Sequence, residues 1–192
     1  FKEKGKEAAV KLGHSLVEGD LKEERIKAWC EFANSHNNTH LYCWRGGLRS
    51  KYALQWIKES GSEIQKIDGG FKALRRFLID EIDDSALRVP IMRIGGKTGT
   101  RKTVLVNSFE FSTDLEGHAN HRGSSFGRRV SGVQTQINFE NSLGIDLIKK
   151  RDIYPNSTLI LEDESRRIGN CVIPQSFLEA MNSSSICIIE MP

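Results

Sequence analysis

Apolar residues between Lys2 and Phe32 (Ala8, Val10, Leu12, Leu16, Leu21, Ile26, Trp29 and Phe32) recur at helical spacing with an interruption at Gly19, which predicts helical segments either side of a break. Leu41 to Cys43 is a short apolar, β-prone run, and the amphipathic stretch from Ser50 to Ser60 after it predicts a helix. Alternation over Glu63 to Ile67 predicts a second strand, followed by a helix from Ala73 to about Ile82. The polar run Asp83-Asp84-Ser85, with Pro90 beyond it, predicts a domain boundary that separates residues 1–85 from 86–192.

In the second part, strands are predicted at Val89 to Ile94, Phe111 to Leu115, Thr158 to Leu161 and Ser185 to Ile189. Helical patterns through Val104 to Phe109 and from Gln134 to Lys150 lie between them. Strands alternating with helices predict an α/β class in both parts.

The candidate chemistry sits in the connections. Cys43-Trp44-Arg45-Gly46-Gly47-Leu48-Arg49-Ser50 links a strand to a helix, so the Cys43 sulfur stands near unpaired backbone N–H groups and the positive end of the helix dipole. Arg45 and Arg49 add positive charge, and Gly46 and Gly47 allow the turn to bring N–H groups together; all of these favour a thiolate or its persulfide. A structural cysteine at a strand end is the alternative reading.

Gly95 to Thr103 has the layout strand, glycine-rich loop, Lys-Thr, helix. With Lys102-Thr103 aligned on the end of a phosphate-binding motif, Gly96 takes the first glycine position, and Thr98 and Gly99 fall within the loop. Arg101 stands where the motif requires glycine. A strand ending in Glu162-Asp163-Glu164 downstream of such a loop is the usual place for a magnesium-directing carboxylate, and the pattern does not choose among the three.

Asp114 opens a loop containing His118, His121, Arg122, Ser124 and Ser125, which reads as a phosphate-binding and general acid/base surface. The two histidines lack a third ligand at matching spacing, so no metal site is predicted.

At 192 residues and 38% hydrophobic content, the chain can hold packed cores in one large or two small domains. A net charge of +3 admits a nucleic-acid partner without requiring one. Four cysteines without a CxxC pair, and no signal or membrane-spanning segment, predict a cytoplasmic location and no membrane partner. The chain opens on Phe1 and closes at Pro192 after an apolar run, which predicts a piece of a longer polypeptide.

Cys43 to Ser50 resembles the active-site loop of the rhodanese domain in tRNA 2-selenouridine synthases. The Asp68-Gly69-Gly70-Phe71-Lys72 turn resembles the end of that domain, where tyrosine is expected in place of Phe71. The loop from Asp114 to Gly127 and the run Glu162-Asp163-Glu164-Ser165-Arg166-Arg167-Ile168-Gly169 resemble the same family, and the Cys43 loop, the phosphate-loop-like turn from Gly95 to Thr103, the histidine loop and the acidic run fall in the family's order. The resemblance implies an N-terminally incomplete rhodanese-like domain over 1–85 and a P-loop NTPase-like α/β domain over 86–192, truncated at its C-terminus.

It further implies replacement of sulfur by selenium in wobble 2-thiouridine of tRNA using selenophosphate, with S-geranylation from geranyl diphosphate as an intermediate step and no tightly bound cofactor. Cys43 would then handle the chalcogen, steadied by Arg45 and Arg49. Gly96, Thr98, Gly99, Lys102 and Thr103 would cradle phosphate, and His118, His121 and Arg122 would line the site of the base or leaving group. Arg75, Arg76, Arg128, Arg129, Arg166 and Arg167 are candidates for the tRNA backbone. A sulfurtransferase acting on a small thiol, or a non-catalytic nucleotide-binding module, are the other readings.

Overall fold

The structure, a computed structural model, describes residues 3, 5–121 and 134–190. Arg122, Ser124, Ser125, Arg128 and Arg129 lie outside the described residues. The chain divides into two compact units, 1–74 and 75–192.

The first unit opens with helices α1 (Gly5–Ser15) and α2 (Asp20–Ser35), separated where Gly19 takes φ 65°. That positive φ is the break expected from the pattern, and glycine adopts it at no steric cost. Strand β1 (His40–Leu41) pairs in parallel with β2 (Gln65–Lys66), His40 opposite Gln65 and Leu41 opposite Lys66. Helix α3 (Leu48–Glu59) crosses between them and turns Ser50, Ala53 and Ile57 inward, positions spaced to share one helical face.

Helix α4 (Gly70–Arg88) runs six residues past Ile82, through the polar run predicted to be a boundary. Its acids are satisfied as helix surface: Asp84 pairs with Arg88 at 2.8 Å, Arg151 reaches Glu81 at 2.5 Å and Asp84 at 3.2 Å, and Ser176 donates to Asp83. The division between the units falls near the start of this helix.

The second unit is built on a four-stranded sheet of order β4-β5-β3-β8, parallel throughout. Its strands are β3 (Ile91–Gly96), β4 (Ser112–Thr113), β5 (Leu159–Glu162) and β8 (Ser185–Ile189). Helices α5 (Lys102–Val106), α6 (Leu115–His118), α7 (Gln136–Ile153) and α8 (Gln175–Ser183) connect them, with an antiparallel hairpin of β6 (Arg167–Ile168) and β7 (Cys171–Val172) before α8. Phe139, Leu143 and Leu147 of α7, Leu159 and Leu161 of β5, and Phe177 and Met181 of α8 form the core with Ile82. No helix of the described residues is long and apolar enough to cross a membrane.

Gly144 sets the approach of α4 to α7, since a Cβ there would stand 2.9 Å from the Leu78 carbonyl oxygen and 3.2 Å from the Leu78 Cβ. Helix propensity alone favours Gly144→Ala by ~1 kcal/mol, whereas overpacking costs ~1–3 kcal/mol. The clash wins because one obstructing atom is backbone. Gly144→Ala is expected to lower stability by about 1 kcal/mol in urea unfolding, a shift opposite in sign to the propensity scale.

Candidate functional site

Cys43 lies two residues beyond the end of β1, in the loop that enters α3. Its Sγ accepts the Gly47 N–H at 3.2 Å and shares a hydrogen with the Ser50 Oγ at 3.3 Å. The Ser50 hydroxyl also reaches the Gly47 carbonyl at 3.0 Å, and Ser50 is 2% exposed. Because a hydroxyl has one hydrogen, Ser50 donates to the Gly47 carbonyl when Cys43 is a thiol and can turn it to sulfur when Cys43 ionises.

The loop is locked against the turn after β2. Gly46, at φ 62°, leaves no room for a side chain, as its Cβ would stand 2.8 Å from the Gly69 nitrogen. At Gly70 a Cβ would lie 1.9 Å from the Cys43 carbonyl oxygen. The same carbonyl accepts Phe71 N–H at 2.9 Å, and the Trp44 carbonyl accepts Lys72 N–H at 3.1 Å. The glycine pair in Asp68-Gly69-Gly70-Phe71 therefore lets one backbone abut the other and fixes the thiol loop.

The Cys43 thiol is lowered from 9.0 to about 6, first by the Ser50 hydroxyl, against burial, and then by the backbone N–H groups of Ser50, Arg45 and Gly47. Arg45 thus acts on the sulfur through its backbone N–H. The side chains of Arg45 and Arg49 are exposed, with no ion pair among the described residues. Ser50 is the participant that the sequence reading missed. Its signal was a hydroxyl in the first turn of the helix directly after the cysteine loop.

In the second unit, Gly96 ends β3 at φ 146°, Gly99 takes φ 93°, and Arg101 adopts φ 59°, ψ 32° immediately before α5. Thr98 and Gly99 are exposed. Lys102 Nζ donates to the Gly96 carbonyl at 2.8 Å and the Lys97 carbonyl at 3.2 Å, closing the turn on itself.

The three acids after β5 separate by environment. Asp163 pairs with Arg93 at 2.6 Å, and Arg93 also donates to the Ser184 hydroxyl, so this acid holds the end of β5 to β3 while Arg93 ties β3 to the chain leaving α8. Burial pushes the Glu162 carboxyl up, with the Thr103 hydroxyl and Lys102 opposing and Glu116 and Asp114 adding to the rise. Glu164 is pushed up to about 7 by burial and by Glu116 and Glu162, with Lys102 opposing. Glu162 and Glu164 therefore share the surroundings of Lys102, and Glu116 is an unforeseen member of the group. Among the described residues no three His, Cys, Asp or Glu are grouped to hold a metal ion.

The predicted histidine surface is divided between two structural settings. Asp114 caps α6, accepting the Gly117 N–H at 2.7 Å. His118 contacts the Ser142 hydroxyl through Nδ1 at 3.0 Å and Asp146 through Nε2 at 3.4 Å. Burial opposes ionisation of Asp146, but hydrogen bonds from His118, Lys150 and Thr113 bring its carboxyl to about 2. The His121 ring instead lies against Gly169, where a Cβ would meet its Cδ2 at 2.7 Å.

Of the arginines proposed for a phosphate backbone, Arg75 is taken up by Glu140 and by Asn141 at 3.0 Å, bracing α4 on α7. Arg76 pairs with Asp80 at 3.0 Å on the helix surface, and Arg166 and Arg167 are exposed beside the hairpin.

Two outcomes follow from these environments. Peptide-resolved alkylation should find Cys43 reacting with a midpoint near pH 6, and Ser50→Ala should move that midpoint up toward 9.0. For Glu164 the folded value lies above the unfolded 4.5, so its contribution to stability is fully present below the unfolded value and is lost as pH rises through about 7. Urea unfolding at about pH 5 and about pH 8 should show that loss in the wild type and a smaller one in Glu164→Gln, which should be the more stable at the higher pH.

A family model described as the tRNA 2-selenouridine synthase AAA domain matches residues 89–192. A tRNA 2-selenouridine synthase of Pseudomonas fluorescens strain Pf0-1 is 48% identical over 191 residues, covering 99% of this chain and 52% of that protein. Its counterpart from Shewanella woodyi is 46% identical over 192 residues, covering 100% of this chain and 52% of that protein. The chain spans about half the length of the curated relatives it matches. No solved structure matches it. With residues 89–192 matched by the family's own domain and relatives 46–48% identical over 99–100% of the chain, the chain belongs to the tRNA 2-selenouridine synthase family.

Proposed function

We propose that this chain acts in the exchange of sulfur for selenium at 2-thiouridine in tRNA, a reading supported by relatives named as synthases of 2-selenouridine in tRNA. The observation that carries the reading is the Cys43 thiol, ionised near neutral pH in a loop with two exposed arginines. On this reading the first unit is a rhodanese-type domain in which Cys43 handles the chalcogen. The thiolate is steadied by Ser50 and the loop N–H groups, and Arg45 and Arg49 attract the anionic donor, selenophosphate.

The turn from Gly96 to Thr103 takes the diphosphate of geranyl diphosphate, with Lys102 exchanging its loop carbonyls for phosphate oxygens. The thiocarbonyl sulfur of the base displaces diphosphate from the geranyl carbon; the selenium of selenophosphate then attacks C2 and expels geranyl thiol, and water takes the phosphoryl group from selenium as inorganic phosphate. Were magnesium bound with the diphosphate, Thr103 and Glu162 are the side chains that would meet it, and it would neutralise charge on the leaving diphosphate. Arg76, Arg166 and Arg167 remain the described cations for the tRNA backbone, and the location is the cytoplasm, where tRNA is modified.

Nucleoside mass spectrometry on thiolated tRNA supplied with both donors tests the assignment. Cys43→Ser should lose 2-selenouridine while keeping S-geranyl-2-thiouridine, and Lys102→Ala should lower geranylation by ~100-fold. Thiosulfate:cyanide transfer by the wild type with no change in tRNA would favour a sulfurtransferase for small thiols.

A further inference from the structure

Trp44 is 54% exposed and Tyr42 50% exposed, flanking the reactive cysteine on either side in sequence. Other large apolar residues of this chain are equally exposed, Phe32 and Phe77 among them, and what sets Trp44 and Tyr42 apart is that both line one recess with the thiol. Trp44 stacks on Phe71, with ring centroids 5.1 Å apart and planes 25° apart. Both residues are fixed to the thiol loop through their backbones: Phe71 N–H binds the Cys43 carbonyl, and the Trp44 carbonyl accepts Lys72 N–H. The close approach of Gly70 to Gly46 and Cys43 leaves no room for a side chain between the two segments.

Tyr42, Cys43, Trp44, Arg49 and Phe71 line one open, largely apolar pocket of about 490 Å³. An apolar, ring-walled recess with one guanidinium and a thiol on its wall suits a flat heteroaromatic ring attached to a phosphate. A purely hydrophobic ligand would have no use for the exposed arginine, and a free phosphate none for the rings.

We infer that the Trp44–Phe71 stack and Tyr42 form a platform that receives a single unstacked nucleobase of the substrate RNA and presents its C2 edge to Cys43, with Arg49 meeting the adjoining phosphate. This deepens the function proposed above and rests on tRNA being the substrate. RNA-modifying sites work on bases drawn out of the stack, and aromatic side chains supply the replacement stacking partner. The pyrimidine ring covers the exposed aromatic surface, and the thiol loop's rigid link to the stack holds the base in register with Sγ.

The test is protection of Cys43 from iodoacetamide, followed by peptide mass spectrometry, with 2-thiouridine 5′-monophosphate as the probe, alongside binding of thiolated tRNA. Wild-type protein and Trp44→Phe should be protected by the nucleotide, whereas Trp44→Ala should need at least ~10-fold more of it, the size of one lost base–aromatic stack. The alkylation rate of Cys43 without nucleotide should be unchanged in Trp44→Ala, which separates loss of the platform from collapse of the loop.

Equal protection of wild type and Trp44→Ala would overturn the platform while leaving tRNA as the substrate if thiolated tRNA still binds. Nucleotide protection without any tRNA binding would leave the platform standing and remove the tRNA reading instead. If Trp44→Ala alters the bare reactivity of Cys43, the ring belongs to the packing of the loop, and the inference falls. Retained protection in Trp44→Ala together with a rise in aggregation of the wild type relative to it would assign the rings to a covering polypeptide, which also overturns it.

Discussion

Parallel pairing is the constraint on which both units depend. Strands that run the same way need a crossover between them, and each crossover leaves the carboxyl end of its strand on the same edge of the sheet. In the first unit β1 delivers Cys43 to that edge, and β2 delivers the Gly69-Gly70 turn that abuts it. In the second, β3 ends at Gly96, β4 leads into Asp114, and β5 ends at Glu162. The chemistry-bearing residues are scattered in sequence because their strands are, and they collect along an edge because the strands are parallel.

Three ionisable groups placed by this arrangement show three ways of setting a charge. Hydrogen bonds to the charged form pull Cys43 down while it stays partly open to solvent. Asp146 is more deeply set, and three donors are needed to overcome its burial. Glu164 has no such donor among the described residues and yields to burial and to its acidic neighbours. The second unit therefore presents a lysine among carboxylates, one of which changes charge near neutral pH. Phosphate brought there meets Lys102 as an attractive group and Glu162 and Glu164 as repulsive ones, so a proton or a cation must accompany it.

Much of this was legible in the sequence where a strong local signal coincided with tertiary need. The strand at Ser185 to Ile189, the break at Gly19 and the helix after Cys43 all kept to their patterns. The helix α4 outran its predicted end because Asp83 and Asp84 look like linker residues locally, whereas Ser176, Arg88 and Arg151 satisfy them in the fold. Helix α8 went unread although Phe177, Leu178 and Met181 carry its buried face. Polar partners were the least legible: Arg75, Asp114 and His118 have the residue types of a binding surface, but their hydrogen bonds lie within the fold. No spacing rule reveals that Asp163 faces Arg93 while its neighbours face the surroundings of Lys102.

Arg101 departs from the motif in residue type while itself taking a left-handed backbone conformation. The motif's glycine does two things: it turns through the left-handed region, and it leaves space for phosphate. Arg101 makes the turn itself, at φ 59° and ψ 32°, a conformation that costs a residue with a Cβ ~1–2 kcal/mol. Its side chain is exposed, so its bulk is carried outward rather than packed into the turn, and Lys102 still reaches both loop carbonyls. The turn into α5 is thus made with a strained arginine at its rim. An arginine there adds a positive charge where the motif's glycine adds none, which partly offsets the carboxylates of Glu162 and Glu164 toward an incoming phosphate.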